Sequence, residues 1–214
     1  QVLELSKPPF RIEGFDISHI QGTMTVASMV VFENGEARNQ DYRRFRIKSV
    51  EGPDDYAAMR EVLTRRFRHL SHSEADPAAS DKFAVIPDLI LIDGGKGQLN
   101  VAVEVLEEYG LEDIPVFGLA EKEELIFKPG DAVPIRLPRN SPALQLVQRV
   151  RDEAHRFALS YHRDLRSREL KTSALDQVPG VGPKRKKALL RHFGSVKRIR
   201  EASLEELKSV EGIT

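Results

Sequence analysis

The 214-residue chain contains no cysteine. That excludes disulfide bonds, thiol catalysis and zinc–thiolate centres, and it suits a reducing compartment such as the cytoplasm. No run of about 18 apolar residues occurs, so no membrane-spanning segment is expected. The opening QVLELSKPPF lacks a basic stretch followed by an apolar one, which argues against a signal peptide. An initiator methionine is missing too, and the sequence reads as a piece of something longer. Excess charge of either sign is also absent, but the net charge of zero conceals a division. Residues 171–214 hold ten Lys/Arg against five Asp/Glu, a local +5, which leaves 23 against 28, or −5, for residues 1–170. A basic end beside an acidic body suits an anionic partner, although a solvated charged helix has the same composition.

What is present is organised around Arg11–Ile20 (RIEGFDISHI). Phe10, Ile12, Phe15 and Ile17 form a short apolar run with Asp16 in its middle, the pattern of a strand buried inside a sheet. A carboxylate there is costly unless a metal ion, an arginine or a lysine compensates its charge. Thr23–Phe32 is rich in β-branched residues, Asn34-Gly35 is a hairpin signal, and Asp41–Ile47 alternates as a return strand. The chain therefore opens with three antiparallel strands. Gly52-Pro53-Asp54-Asp55 announces a helix with Tyr56, Met59, Leu63 and Phe67 on one face. Ser71–Lys82 reads as a surface loop. Asp88–Asp93 is an apolar strand ending in an acid, and a helix from about Gln98 to Tyr109 follows, closed by Gly110.

Ile114–Ala120, Glu124–Lys128 and Ala132–Leu137 read as further strands. Ser141-Pro142 then opens a long helix to roughly Leu170, with a stripe of Val147, Val150, Ala154, Phe157 and Tyr161 and with His155 one step round from it. Strands mixed with helices indicate an α/β domain built on a mixed sheet. Arg163–Lys171 has no apolar stripe, so residues 163–172 are expected to link residues 1–162 to a smaller unit over 173–214. That smaller unit carries a repeat, because Leu175–Gly182 is echoed by Leu207–Thr214.

Three positions converge if the fold is right: Asp16, Asp93 and His155. Two carboxylates and an imidazole suit an octahedral Mg²⁺ or Mn²⁺, which can polarise a phosphodiester and orient a water nucleophile. Asp55 is a fourth acid within reach. Taken alone, Asp-Gly-Gly is usually a turn, and a lone helical histidine usually a satisfied surface or core residue. The GGKGQ stretch fails the phosphate-loop spacing, since no glycine stands five residues before Gly95-Lys96 and no Ser or Thr follows. Lys96 beside a metal site can still meet a substrate phosphate as a point charge. In the second unit Gly180, Val181 and Gly182 form a tight turn before a helix that Pro183 starts. Free amides there, followed by Lys184, Arg185, Lys186 and Lys187, make a sequence-independent phosphate grip.

The stretches IEGFDISHIQG, GPDDYAAM, DLILIDGGKGQL, SPALQLVQRVRDEAHRFA and VPGVGPKRKKALL resemble the C-terminal half of the C subunits of the bacterial Uvr excinuclease. The resemblance covers nearly the whole chain. It implies a ribonuclease-H-like endonuclease domain followed by a small all-α tandem helix-hairpin-helix domain, whose second hairpin is cut short at Thr214. It further implies incision of damaged double-stranded DNA on the 5′ side of a lesion in nucleotide excision repair. Carried over residue by residue, Asp16, Asp93 and His155 take the catalytic positions and Asp55 that of a further acid. The histidine stands where ordinary ribonuclease-H enzymes have a third carboxylate, which implies dependence on one metal ion. The excinuclease's B subunit, and through it the A subunit, are the implied partners. The family's other nuclease and its segment for binding the B subunit have no counterpart here. A non-catalytic DNA-binding module on the same scaffold is the competing reading, and the intact acid–acid–histidine set favours the enzyme.

Overall fold

A computed structural model of the chain describes residues 3–20, 24–48, 52, 54–68, 70, 85–120, 125–176 and 178–213, with backbone alone for 20, 162–174 and 176. The loop expected over 71–82 lies outside the described residues. The chain divides into two compact units, residues 1–159 and 160–214.

The first unit is built on one mixed sheet. Strand β1 (Arg11–Ile20) lies antiparallel to β2 (Met24–Glu33) and parallel to β5 (Leu89–Asp93). The short β3 (Glu36–Ala37) and β4 (Arg43–Arg46) both pair with β2. On the far side β6 (Val116–Ala120) runs parallel to β5, and β7 (Leu125–Phe127) and β8 (Ile135–Arg136) follow antiparallel. The order is β3-β2-β1-β5-β6-β7-β8. The β-branched run of β2 is buried almost throughout, as befits a strand covered on both faces.

Asn34 and Gly35 both take positive φ, 50° and 76°, the requirement of a tight two-residue hairpin. The return strand differs from the alternation read in Asp41–Ile47. A 3-10 turn at Asn39–Asp41 splits it, and the register jumps by three residues between Glu33↔Glu36 and Val26↔Arg46. There the Asp41 amide donates to the Arg38 carbonyl at 3.0 Å rather than to β2, and the Asp41 carboxylate accepts from Arg11 at 3.0 Å and Arg38 at 3.1 Å, which holds the turn against β1.

Helix α1 (Asp55–Phe67) is capped by the Asp54 carboxylate, which accepts from the amides of Tyr56 and Ala57. Met59, Leu63 and Phe67 are fully buried, but Tyr56 is 58% exposed, because the first turn projects past the strands and lays its ring against Gly97. Helix α2 (Lys96–Glu108) starts two residues before Gln98, with Gly95 at its N-cap, and Gly110 at φ 64° follows its end. Helix α3 (Pro142–Asp176) begins where the Ser141 hydroxyl accepts from the Leu144 amide at 3.2 Å. It continues beyond Leu170 because neither glycine nor proline interrupts it before Pro179, so the backbone of 163–172 is helical.

In the second unit Leu175, α4 (Pro183–Phe193), α5 (Val196–Glu201) and α6 (Leu204–Lys208) enclose a small core of Leu175, Leu189, Ile199 and Val210. The sequence repeat is also a backbone repeat. Val178 donates to Leu175 at 3.3 Å and Val181 to Val178 at 3.2 Å; Val210 and Ile213 make the matching bonds to Leu207 and Val210 at 3.3 and 3.0 Å. Gly180 and Gly212 turn the chain with φ of 82° and 85°. Among the described residues no helix is long and apolar enough to cross a membrane.

Candidate active site

The parallel pairing of β1 with β5 sets Asp16 directly beside Asp93. Directly paired residues of neighbouring strands share a face of the sheet, so both carboxylates leave on the same side. Helix α3 covers that side. Gly14 lets it approach closely, since a β-carbon there would lie 2.5 Å from Val150 Cγ1. Ser28, which pairs with Asp16 on the other flank, is fully buried and donates its hydroxyl to the Ala154 carbonyl at 3.0 Å. The next residue on α3 is His155.

Among the described residues Asp16, Asp93 and His155 form one group whose donor atoms all lie within 4.8 Å of one another. Asp16 is buried, Asp93 half-buried and His155 exposed. Ser18 donates to Asp16 Oδ2 at 2.8 Å and fixes that carboxylate's orientation. Two ionised carboxylates at this spacing repel by about 3 kcal/mol at an effective dielectric constant of about 20. A divalent cation reverses the sign of that interaction, and two hard oxygen donors plus an imidazole facing solvent suit Mg²⁺ or Mn²⁺.

Asp55 does not join this group. One of its oxygens lies 2.6 Å from His19 Nε2, and the other accepts from Gln98 Nε2 at 3.4 Å. Both contacts border an open cavity of about 730 Å³ that Tyr56, Gly95 and Gly97 also line. Lys96 extends its ammonium to the Ala132 carbonyl at 2.6 Å, over the Phe127 ring. In the second unit Gly182 caps α4, and the Val181 amide is already spent on Val178. Lys184 and Lys187 are exposed and Lys186 half-buried. Arg185 behaves differently, donating to the Gly180 carbonyl at 2.8 Å and the Gly212 carbonyl at 3.1 Å, so it clasps the two glycine turns together.

Sequence reasoning missed a second buried acid on the same strand. Glu13 is fully buried and meets Arg66, also fully buried, through two bonds of 2.9 and 2.8 Å. Arg11 joins them and reaches Glu33 and Asp41 as well. Burial pushes the Asp41 carboxyl up, but the bonds from Arg11 and Arg38 outweigh it and hold the group below the usual carboxylate range. The signal was available: Glu13 breaks the apolar run just as Asp16 does, and Arg66 falls on the buried face of α1. Strand β1 thus sends one acid to each face, and the two acids meet opposite fates. Glu13 is neutralised by arginine, while Asp16 faces another carboxylate and an imidazole.

A mixed sheet with two acids abreast on its central parallel strands, and a third donor from a covering helix, defines a ribonuclease-H-like nuclease. Residues 1–159 match the family described as the UvrC RNAse H endonuclease domain, and the chain belongs to that family. Residues 172–214 match a SAM-like helix-hairpin-helix tandem. The chain is 56% identical over 211 residues to the UvrABC system protein C of Dehalococcoides mccartyi, covering 99% of this chain and 34% of that protein. With the protein of the same name from Moorella thermoacetica it shares 54% identity over 213 residues, again covering 34% of the relative. It therefore spans about a third of the length of these relatives. Among solved structures, Ciona intestinalis endonuclease V in complex with a 24mer DNA containing an inosine is similar at 20% identity and a TM-score of 0.37, over 68% of this chain and 56% of that one.

Proposed function

We propose that this chain hydrolyses a DNA phosphodiester with one divalent cation, Mg²⁺ or Mn²⁺, held by Asp16, Asp93 and His155. The observation that carries the reading is the 4.8 Å grouping of three donors from three different elements. A cation held there polarises a phosphoryl oxygen and offsets charge on the leaving oxygen. Asp16, buried and oriented by Ser18, is the fixed anchor. Asp93 stands beside it at the mouth of the strands, and His155 brings its nitrogen from the solvent side. A scaffold that only bound DNA would have no use for two carboxylates this close together.

The relatives' name, UvrABC system protein C, supports a role in that excision system, and we infer that the role is incision on the 5′ side of a lesion during nucleotide excision repair, in the cytoplasm. The excinuclease's B subunit, and through it the A subunit, are the partners in that role. The hairpin unit, residues 173–214, grips duplex phosphates through the turn at Gly180–Gly182 and through Lys184, Lys186 and Lys187, without reading bases. Residues 163–172 join it to the nuclease unit. Asp16→Ala and Asp93→Ala, assayed with the partner proteins on a lesion-bearing duplex, should each lower Mn²⁺-dependent incision by at least about a hundredfold while DNA binding persists. His155→Ala should be severely impaired. Either aspartate variant cutting at the parent rate would overturn the assignment.

A further inference from the structure

The ladder between β1 and β5 ends at the pair Asp16↔Asp93. No β1–β5 pairing holds the two carboxylates abreast beyond that point, because β5 ends at Asp93. We propose that His19, Asp55 and Gln98 form a clamp across this gap, with His19 and Gln98 acting as positioning residues for the cation site. The proposal rests on the metal-centre reading above.

Asp55, at the first turn of α1, uses its two oxygens in two directions. Toward β1, Oδ1 meets Nε2 of His19, three residues beyond Asp16, at 2.6 Å. The other ring nitrogen of His19 lies 3.1 Å from the Thr25 hydroxyl on β2. A carboxylate accepts only, so Nε2 carries a proton toward Asp55, and the Thr25 hydroxyl partners Nδ1; the imidazole is held from both ends. Toward β5, Oδ2 accepts from Gln98 Nε2 at 3.4 Å, and Gln98 Oε1 accepts from the Gly95 amide at 3.1 Å. Gly95 is two residues beyond Asp93. One carboxylate therefore ties the end of β1 to the turn that follows β5.

The turn itself is boxed in. A β-carbon at Gly94 would lie 1.8 Å from Gln98 Oε1, so the glutamine amide rests on the Gly94 backbone. One at Gly97 would lie 2.4 Å from the Tyr56 ring, and one at Gly118 would lie 3.0 Å from the Gly94 carbonyl. Gly94 and Gly97 thus serve close packing against the Gln98 side chain and α1, and Gly118 lets β6 approach the Gly94 carbonyl, whereas Gly95 has open space around it. The residue types fit the task. Asp55 must accept twice, and Gln98 must donate and accept at once, which neither glutamate nor leucine can do. Asp55 thereby acts through its neighbours on Asp16 and Asp93 and is no ligand itself.

The experiment uses the full chain with His19→Ala and Gln98→Glu, read by hydrogen exchange at the Gly95 amide and by Mn²⁺ titration. His19 does not touch Gly95, yet His19→Ala should speed Gly95 exchange by about tenfold or more, because Asp55, which holds Gln98, loses its partner on β1. Both variants should raise the Mn²⁺ dissociation constant by about 10–100-fold, the usual effect of losing an outer partner of a metal ligand. The two changes together should be no worse than the worse single one, since they cut the same chain. If His19→Ala leaves both Gly95 exchange and Mn²⁺ affinity at parent values, the clamp is wrong. Should His19→Ala not fold, Thr25→Val, which removes only the hydroxyl that fixes the imidazole, gives the same two readouts. A parent chain that takes up no Mn²⁺ would sink the metal-centre reading, while Gly95 exchange in His19→Ala would still decide the clamp.

Discussion

Replacing Gly14 by alanine probes how the covering helix brings His155 to the two carboxylates. The new methyl would lie 2.5 Å from Val150 Cγ1 and 3.1 Å from Val30 Cγ2, where ordinary contact begins at 3.4 Å. Val150 sits in a helix, where its χ1 is stiff, so rotating the methyl away is costly. The relief left is for α3 to back off locally by about 1 Å. Overpacking of this kind costs about 1–3 kcal/mol. The displacement matters more than the stability, because Val150 lies little more than one helical turn before His155. A 1 Å misplacement of a catalytic group can cost about a hundredfold. Urea unfolding reads the stability, and Mn²⁺ titration reads the site. Gly14→Ala should bind Mn²⁺ markedly more weakly than the parent. Adding Val150→Ala removes the offending methyl and should restore most of that affinity, although the double variant stays less stable because core methyls are lost. Parent-like Mn²⁺ binding in Gly14→Ala, or a double variant no better than the single, would refute the reasoning.

Three further outcomes follow. Arg66→Met leaves Glu13 buried with only Arg11's longer contacts of 3.3–3.4 Å, and should cost about 3–5 kcal/mol in urea unfolding; a loss under 1 kcal/mol would show that the pair does not compensate the buried charge. Asp41 titrates below its unfolded value in the fold, so its stabilisation is present above about pH 4 and fades as pH falls through the lower folded value. The stability gap between parent and Asp41→Asn should therefore narrow between about pH 4 and pH 2 and hold constant above; a gap unchanged down to pH 2 would contradict this. Arg185→Lys keeps the charge but cannot span two carbonyls, so it should weaken duplex binding as much as Arg185→Ala, whereas a plain phosphate contact would be largely rescued by lysine.

The convergence of Asp16, Asp93 and His155 is only half legible in the sequence. Periodicity assigns each residue to its element: an acid inside an apolar strand, an acid ending another, and a histidine beside an apolar stripe. The adjacency of β1 and β5, with Asp16 in register with Asp93, is a long-range choice that no local pattern encodes. The same blindness hides the Glu13–Arg66 pair, whose partners stand 53 residues apart. Asp55 shows the opposite case. An acid opening a helix is easy to find, but which group it faces depends on where α1 is seated over the strand ends, and there it meets His19. The split in the return strand is hidden for a similar reason, since alternation in Asp41–Ile47 cannot reveal that Asp41 is captured by Arg11. The hairpin repeat, by contrast, reads correctly from sequence, because its bonds are local and glycine at positive φ marks each turn.

The central claim is that one cation binds among Asp16, Asp93 and His155, and crystals of this chain soaked in Mn²⁺ test it most directly through the anomalous signal of the metal. The account expects one dominant peak about 2.0–2.3 Å from an oxygen of each aspartate and a ring nitrogen of His155, absent in crystals of Asp16→Ala. A peak at Asp55 and His19 instead, no peak at saturating Mn²⁺, or the same peak undiminished in Asp16→Ala would contradict it.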